Sequence, residues 1–337
     1  MTVTTTDTLY DVLGIGNAIV DVLAHAEDQF INELDIVKGS MTLIDEMTAE
    51  HVYSRMAPGI ECSGGSAANT IAALASLGGA GAYVGKVRDD QLGQVFRHDI
   101  SALGIAFKTA ANTDGASTAR CMIHVTPDAQ RTMQTYLGAC VDLGPDDIDE
   151  DMVASARVIY MEGYLWDPEN AKRAFRKAAR AAAAAGRMVS LSLSDPFCVG
   201  RHRAEFLDLV ENHVDVLFAN EEEIMSLYQV ESFDQAMQEV RAHCAIAALT
   251  RSEKGSVVVA GDEVHVVDAE PVATIADTTG AGDAYAAGFL YGLTRDQPLD
   301  VCARLGGICA AEIISHVGAR PDVSLAERVA GILKENS

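Results

Sequence analysis

The strongest constraint on the fold is a regular alternation of strand-like and helix-like segments in the second half of the chain. Short runs rich in Val, Ile and Leu alternate there with longer segments that are Ala-rich or amphipathic. The predicted strands span 157–161, 188–193, 214–218 and 246–250, and the predicted helices span 170–185, 202–212, 221–228 and 234–244. Repeated β-then-α units form a mostly parallel sheet with helices on both faces. The sequence therefore predicts a three-layer α/β/α sandwich, followed by a hairpin of strands 256–260 and 263–267.

Residues that directly follow the strands are the first candidates for a site, because ligands of such sheets bind beyond the carboxyl ends of the strands. These residues are Asn17, Glu162, Ser194, Asp195, Asn220, Thr250 and Arg251. The first predicted strand, 9–16, ends in Gly-Ile-Gly-Asn, which looks like the opening of a dinucleotide fingerprint. Ile19 stands where the third glycine of that fingerprint should be. An NAD-dependent oxidoreductase is therefore disfavoured.

Two segments, about 22–57 and 106–140, do not follow the alternation. The second contains runs at 118–125 and 131–137 on either side of Thr126-Pro-Asp-Ala-Gln130, a loop rich in turn formers, and this pattern predicts a β-hairpin. Two insertions of strand character outside the core would form a small separate sheet. Because no linker composition marks a second module, we predict one domain over 1–337 with two insertions.

A glycine-rich turn precedes an apolar helix near the C-terminal end. It reads Asp277-Thr-Thr-Gly-Ala-Gly-Asp283 and runs into the apolar segment 284–293. The free N–H groups of a first helical turn, together with the helix dipole, bind anions. A carboxylate at Asp283 would lie beside a phosphate bound there, which is the position of a base. The alternative is that Asp283 only caps the helix, as Asp often does.

This turn resembles the C-terminal signature of the PfkB family of ribokinase-like carbohydrate kinases, Asp-Thr-x-Gly-Ala-Gly-Asp. A second segment, Gly64-Gly-Ser-Ala-Ala-Asn69 followed by a small-residue helix, resembles the N-terminal signature of that family. The resemblance covers nearly the full length of the chain. It implies the ribokinase-like fold, in which the two insertions form a β-sheet lid over the site, and it implies an ATP-dependent kinase.

The resemblance also implies a role for each matching residue. Asp283 would be the catalytic base, and the amides of Gly280, Ala281 and Gly282 would hold the transferred phosphate. Arg131 would close over the phosphate from the lid hairpin, although an exposed cation on a strand is the alternative. The residues expected to bind the acceptor substrate are Asn17, Ile19, Asp21, Gly64, Gly65, Asn69, Met133, Leu165 and Phe197.

ATP and Mg²⁺ are the cofactors that the family implies. Glu223, in Asn220-Glu-Glu-Glu223, matches the family's Asn-x-x-Glu, which organises Mg²⁺ through water. A solvated acidic first turn of a helix is the alternative for this residue. The residues expected to contact the nucleotide are Asn220, Thr250, Thr279 and Gly282. Whether a monovalent cation such as K⁺ binds at Asp277 and Thr279, as it does in several relatives, stays open.

Within the family, the likeness is greatest to the adenosine kinases. It rests on the Gly-x-Gly-Asn-x-x-x-Asp segment at 14–21, on Glu162-Gly-Tyr164 and on Leu193-Ser-Asp-Pro-Phe197. A purine needs flat apolar walls, and Ile19, Met133, Leu165 and Phe197 occupy the matching positions. We therefore expect phosphorylation of the 5′-hydroxyl of adenosine to AMP. The alternatives are a ribokinase, a fructokinase, another nucleoside kinase, or a non-catalytic regulator that binds a sugar or a nucleotide.

Charge and cysteine content narrow the class of partner. The formal charge is −24, from 25 basic and 49 acidic residues, and this charge repels nucleic acid and anionic membrane surfaces. A single ATP is still compatible, since local amides and Mg²⁺ outweigh the global field. The seven cysteines form no Cys-x-x-Cys pair and suit a reducing compartment. With no long apolar run, we expect a cytoplasmic enzyme, either a monomer or a homodimer.

Overall fold

The computed structural model describes residues 8–128 and 130–335, so Ala129 in the predicted hairpin loop and the first seven residues lie outside the described ranges. The strands are β1 (Tyr10–Ile15), β2 (Ile19–His25), β3 (Met41–Leu43), β4 (Ile60–Gly64), β5 (Gly81–Val84), β6 (Ala106–Phe107), β7 (Ala119–Val125), β8 (Arg131–Tyr136), β9 (Ala156–Glu162), β10 (Met188–Ser192), β11 (Val216–Asn220), β12 (Ile246–Thr250), β13 (Ser256–Ala260) and β14 (Glu263–Val267). The α-helices are α1 (Asp28–Glu33), α2 (Glu46–Arg55), α3 (Ser66–Ser76), α4 (Gln91–Ala102), α5 (Glu150–Ala154), α6 (Glu169–Ala184), α7 (Pro196–Asn212), α8 (Glu221–Tyr228), α9 (Phe233–His243), α10 (Ala281–Leu293), α11 (Leu299–Ile313) and α12 (Leu325–Glu335).

A nine-stranded sheet forms the centre of the molecule. Its order is β14-β13-β12-β11-β10-β9-β1-β5-β6, and all pairs from β12 to β6 are parallel. The hairpin of β13 and β14 completes one edge in antiparallel fashion. Its bounds are those predicted from the sequence. The parallel pairing aligns the carboxyl ends of the strands, so Asn220 lies opposite Thr250 as the alternation predicts.

Helices cover both faces of this sheet. Successive strand residues alternate between two buried clusters: Leu13 belongs to one and Val12 to the other. Helices α5 to α9 contribute apolar side chains to the first cluster, and α3, α4 and α10 to α12 contribute to the second. A strand that is buried on both faces has a continuous run of apolar residues, and such runs are the pattern from which these strands were predicted. The predicted three-layer, ribokinase-like architecture is therefore confirmed.

A second, five-stranded sheet has the order β3-β8-β7-β2-β4. Strands β7 and β8 pair in antiparallel register from Arg120–Tyr136 to Val125–Arg131, which confirms the predicted hairpin. The first insertion also contains two helices that the sequence did not predict. Helix α2 is capped by Asp45 and buries only Ala49 and Val52, against Met122 and other residues of the small sheet. With so few apolar positions its periodicity is weak, and its stability comes from this packing. The division into one domain with two insertions stays a prediction.

Helix α7 starts earlier than the apolar periodicity predicts. Helix α7 begins at Pro196 instead of 202, with Asp195 accepting a hydrogen bond from the Cys198 N–H at 2.6 Å. This is an Asp N-cap followed by a first-position Pro, a start signal that the apolar periodicity alone does not reveal. The helix kinks at His202, where φ is −121° and ψ is 20°. In the ranges that the structure describes, no helix is long and apolar enough to cross a membrane.

Candidate active site

The glycine-rich turn forms the N-terminal end of α10. Gly280 precedes the helix with a left-handed φ of 78°, and a Cβ on it would lie 2.7 Å from the Cβ of Ala319. Only glycine fits there without strain. A Cβ on Gly282 would meet no atom within 4 Å, so this residue faces open space. Of the three amides predicted to hold phosphate, that of Ala281 donates to the Thr278 carbonyl at 3.3 Å. The anion-binding role of the three residues stays a prediction.

Asp283 lies in the first turn of α10 and joins the two glycine-rich motifs. Its carboxylate accepts hydrogen bonds from the Ser66 hydroxyl at 2.6 Å and from the Asn69 side-chain amide at 3.3 Å. Burial raises the pKa of Asp283 to about 6, while these two hydrogen bonds and the charge of Arg320 act in the opposite direction. The group is therefore largely ionised at neutral pH. A carboxylate in this state accepts a proton from a hydroxyl.

The turn Ser63–Ser66 brings Asp21 to the same place. A Cβ on Gly64 would lie 2.3 Å from a carboxylate oxygen of Asp21, so the carboxylate lies directly against this glycine. Burial raises the pKa of Asp21 to about 6, opposed by the charges of Arg320 and Arg131. The structure thus places Asp21, Gly64, Gly65, Asn69 and Asp283, all expected at the site from the family resemblance, around one turn.

Gly65 gives a prediction about stability. Its φ is 96°, and a Cβ would lie 2.1 Å from the Asn17 carbonyl oxygen, an atom held by the backbone. Gly65→Ala should cost about 3 kcal/mol or more in the free energy of unfolding, measured by urea denaturation. Gly78→Ala is the matched control, because Gly78 has a φ of 84° and nothing within 4 Å of its Cβ position. The control should cost only about 1–2 kcal/mol. Equal losses in both variants would contradict the close approach.

Asn17 is buried and its side chain is already engaged by the protein. Its amide nitrogen donates to Glu162 Oε1 at 2.7 Å, and its carbonyl oxygen accepts from the Cys140 thiol at 3.1 Å. Glu162 also accepts from the Ala67 N–H at 2.8 Å, which fixes the start of α3. Burial raises the pKa of Glu162 to about 7. In the structure Asn17 belongs to a hydrogen-bond network with Glu162 and Cys140. Direct contact between Asn17 and substrate stays a prediction.

Arg131 reaches from the small sheet to the first residue of the glycine-rich motif. Its Nη1 lies 2.7 Å from Asp277 Oδ2, and both side chains are buried. Asp277 also accepts from the N–H groups of Thr279 at 3.0 Å and Gly318 at 3.1 Å. The carboxylate proposed to bind a monovalent cation therefore carries a guanidinium in this conformation. The cation at Asp277 and Thr279 and the phosphate contact of Arg131 stay predictions.

The four apolar residues expected to line a purine do not all lie together. Ile19 and Met133 pack against the same small cluster of Cys121, Ile123 and Val125 on the second sheet. In contrast, Leu165 is 1% exposed inside the main core, and Phe197 is 81% exposed. The structure assembles one wall from the first pair. Purine contacts of all four residues stay predictions.

Asn220 and Glu223 form a capping box at the start of α8. The Asn220 side-chain nitrogen donates to Glu223 Oε1 at 2.7 Å, and its N–H donates to Oε2 at 2.9 Å. Burial raises the pKa of Glu223 to about 7, and the charge of Asp195 adds to this effect. Each oxygen keeps a lone pair, so a cation or its water would complement this carboxylate.

Within the described residues, no group of three or more His, Cys, Asp and Glu side chains could hold a metal. The free lone pairs of the Glu223 carboxylate fit a water molecule of a Mg²⁺ ion, and this role of Glu223 stays a prediction. Thr250 lies beside Asn220 in the sheet register. The nucleotide contacts of these two residues, like those of Thr279 and Gly282, stay predictions.

Two residues of this site were not identified from the sequence. Ser66 was inside the recognised motif, but its hydroxyl had no assigned role. Arg320 lies in the segment that follows α11, and its Nη2 donates to the Ser63 carbonyl and to the Ser63 hydroxyl, the latter at 2.9 Å. No local pattern around Arg320 signals a functional residue. Its only sequence-level signal is that it is an arginine directly after Gly318-Ala319, between two helices.

Comparison with known proteins places this geometry in a family. The family model for pfkB family carbohydrate kinases matches residues 60–325. The crystal structure of adenosine kinase from Sinorhizobium meliloti is 52% identical and aligns with a TM-score of 0.89, covering 96% of this chain and 100% of that one. A probable sugar kinase protein from Rhizobium etli CFN 42 is 50% identical, with a TM-score of 0.89 and coverage of 96% and 99%. The probable fructokinase-4 of Arabidopsis thaliana is 29% identical over 89% of this chain and 97% of its own. The chain belongs to the pfkB family of carbohydrate kinases.

Proposed function

We propose that this kinase transfers the γ-phosphoryl group of ATP to the 5′-hydroxyl of adenosine. The observation that supports a transfer site most directly is the position of Asp283. This carboxylate lies in the first turn of α10, beside open space at Gly282, and it is tied to Ser66 and Asn69 of the other motif. A base and a candidate anion hole are thus adjacent, as phosphoryl transfer requires.

The acceptor hydroxyl is proposed to lie between Asp21 and Asp283. Asp21 would bind sugar hydroxyls, and Asp283 would take the proton of the attacking hydroxyl. The hydroxyl oxygen then forms a bond to the γ-phosphorus, and the bond from that phosphorus to the bridging oxygen breaks, leaving its electron pair on ADP. Transfers of this kind depend mainly on positioning and on stabilisation of charge.

Two further groups would stabilise the charge on the transferred phosphoryl group. The Nη1 of Arg131 lies 2.7 Å from Oδ2 of Asp277, the first residue of the glycine-rich turn. A guanidinium offers several N–H groups to the phosphoryl oxygens. Mg²⁺, when bound, would neutralise the phosphates of ATP. Asn220 and Glu223 would hold its water, and their mutual hydrogen bonds keep the Glu223 carboxylate in one orientation.

Adenosine is proposed over a sugar because of the likeness to the Sinorhizobium meliloti adenosine kinase at 52% identity. The apolar pair Ile19 and Met133 would supply one face for a purine. A sugar kinase is the second candidate, and a specific observation favours it. Leu165 is 1% exposed in the main core and Phe197 is 81% exposed, so neither belongs to the small apolar cluster that Ile19 and Met133 pack against. A sugar needs no apolar walls.

An acceptor panel separates the two candidates. Adenosine, inosine, guanosine, ribose and fructose would each be supplied with ATP and Mg²⁺, and ADP release would be measured. We expect kcat/KM for adenosine to exceed that for ribose and fructose by about a hundredfold or more, since burying a purine face adds about 3 kcal/mol to binding. Preference for ribose or fructose would overturn the nucleoside proposal. Absence of turnover with every acceptor would favour the non-catalytic alternative.

A further inference from the structure

We propose that Arg320 is a positioning residue of the kinase site, which keeps the two acceptor-side carboxylates, Asp21 and Asp283, ionised together. The inference rests on the proposed role of Asp283 as base, and it does not depend on which acceptor is used. It concerns a residue that lies outside both glycine-rich motifs and that neither motif predicts.

The side chains of Arg320, Asp21 and Asp283 all contact the segment Ser63–Ser66, where β4 ends and α3 begins. Ser63 accepts two hydrogen bonds from the Arg320 guanidinium, one at its carbonyl and one at its hydroxyl. Gly64 lies against the Asp21 carboxylate, and Ser66 donates to the Asp283 carboxylate at 2.6 Å. Three residues of this four-residue segment therefore contact a cation and two carboxylates, which brings the three charges close to one another.

A half-buried acid, Asp99 on α4, orients the Arg320 guanidinium through Ser63. The Ser63 hydroxyl donates to Asp99 Oδ2 at 2.5 Å, and the Ser63 N–H donates to the same oxygen at 2.8 Å. Because the hydroxyl has only one proton and gives it to Asp99, its lone pairs are available to Arg320. Asp99 on α4 thus sets the direction of the hydroxyl that anchors the guanidinium.

The rest of the guanidinium has no partner among the protein groups that the structure describes. Its Nε and Nη1 are buried and make no hydrogen bond there. Arginine does not lose its proton in proteins, so the charge must be balanced by groups that face it. The carboxylates that face it are Asp21 on β2, Asp99 on α4 and Asp283 on α10, and the neutral thiol of Cys62 on β4 also lies nearby, while Arg131 on β8 is a second cation near Asp21.

Two carboxylates that are largely removed from solvent beside one turn would otherwise favour protonation. Burial raises the pKa of Asp21 and that of Asp283 to about 6, and the Asp283 charge raises the pKa of Asp21 further. The Arg320 charge lowers the pKa of both groups. Without it, both pKa values would move upwards towards neutrality. A base that is protonated cannot accept the hydroxyl proton, so activity would be lost at a higher pH than in the parent.

The test is the pH profile of kcat/KM for the full-length enzyme, with the best acceptor from the panel. Arg320→Gln keeps hydrogen bonding but removes the charge, and its acid limb should move up by about one pH unit, which corresponds to the loss of about 1.4 kcal/mol of charge interaction. At pH 5.5 its activity relative to its own plateau should fall about tenfold further than in the parent. Arg320→Lys restores the charge and should return the acid limb to within about a third of a unit of the parent.

Controls separate this role from a general loss of structure. Arg173→Met removes an exposed arginine on α6, makes the same change in net charge, and should leave the acid limb unchanged. If Arg320→Gln does not fold, Arg320→Met provides a second neutral variant. An acid limb that stays in place in the neutral variants would overturn the proposal, even if turnover falls. If instead Asp283→Asn keeps full turnover, the assignment of the base fails, and that result is separate from the Arg320 measurement.

Discussion

Asp283→Asn should lower kcat by about 10²- to 10⁴-fold, the usual contribution of a general base. The replacement keeps the size of the side chain and removes the proton acceptor. Its new amide group can still donate to the Ser66 hydroxyl oxygen, which now donates to the Asp283 carboxylate at 2.6 Å. The turn should therefore keep its shape, and the affinity for the acceptor should change little. Initial rates at saturating ATP and calorimetric binding of adenosine measure the two quantities.

The pH dependence of the parent enzyme provides a second test of the role of Asp283 as base. Since burial raises the pKa of Asp283 to about 6, the carboxylate is protonated as the pH falls through that value, and kcat/KM should decline below it. Activity should reach a plateau above about pH 7. In Asp283→Asn the residual rate should lose part of this dependence, because Asp21, with a pKa also raised to about 6, still titrates.

Asp262→Asn provides the matched control for the base. Asp262 lies in the exposed turn between β13 and β14, so the same chemical change is made outside the site. Its kcat should equal that of the parent. A kcat within threefold of the parent in Asp283→Asn would mean that another group accepts the proton. The carboxylate at position 283 would then act only as a helix cap, the alternative that its place in the first turn of α10 allows.

How much of the site follows from the sequence depends on whether a contact lies inside a short motif. The meeting of Asp283 with Asn69 was implied by the family resemblance, because each residue belongs to a short motif, a glycine turn followed by a helix, that is recognisable locally. The bounds of β13 and β14 were predicted correctly since alternation and a Gly-Asp turn are also local. Glu162 follows a predicted strand, but its bonds to Asn17 and Ala67 arise only when three elements pack together.

Arg320 shows more clearly which contacts cannot be predicted from short sequence motifs. It is 257 residues from Ser63 in sequence, and the contact exists only because the segment after α11 folds back against the turn between β4 and α3. A single arginine between two helices is typical of a surface position. Only the unpartnered guanidinium nitrogens in a buried place indicate a role. The helices of the first insertion were missed for a related reason, because their stability depends on packing against the small sheet.

Arg131→Ala should lower kcat by about 10²-fold or more while leaving adenosine binding nearly unchanged. The partner charge of this guanidinium is proposed to develop on the phosphoryl group during transfer, and an arginine in such a position contributes strongly to turnover. In this structure its Nη1 forms an ion pair with Oδ2 of Asp277, the first residue of the glycine-rich motif, at 2.7 Å. Removal leaves Asp277 with two backbone N–H partners, those of Thr279 and Gly318, so the turn keeps its anchors.

Three measurements decide the role of Arg131. Arg131→Lys retains the charge but loses the fork of donors, and its kcat should lie between those of the parent and Arg131→Ala. Gln130→Ala, at the exposed neighbouring position, should match the parent and shows that the hairpin tolerates substitution. Thermal unfolding reports whether loss of the buried pair with Asp277 destabilises the fold. If adenosine affinity collapses in Arg131→Ala while turnover at saturation survives, Arg131 belongs to the acceptor pocket, and its proposed action on the phosphoryl group is wrong.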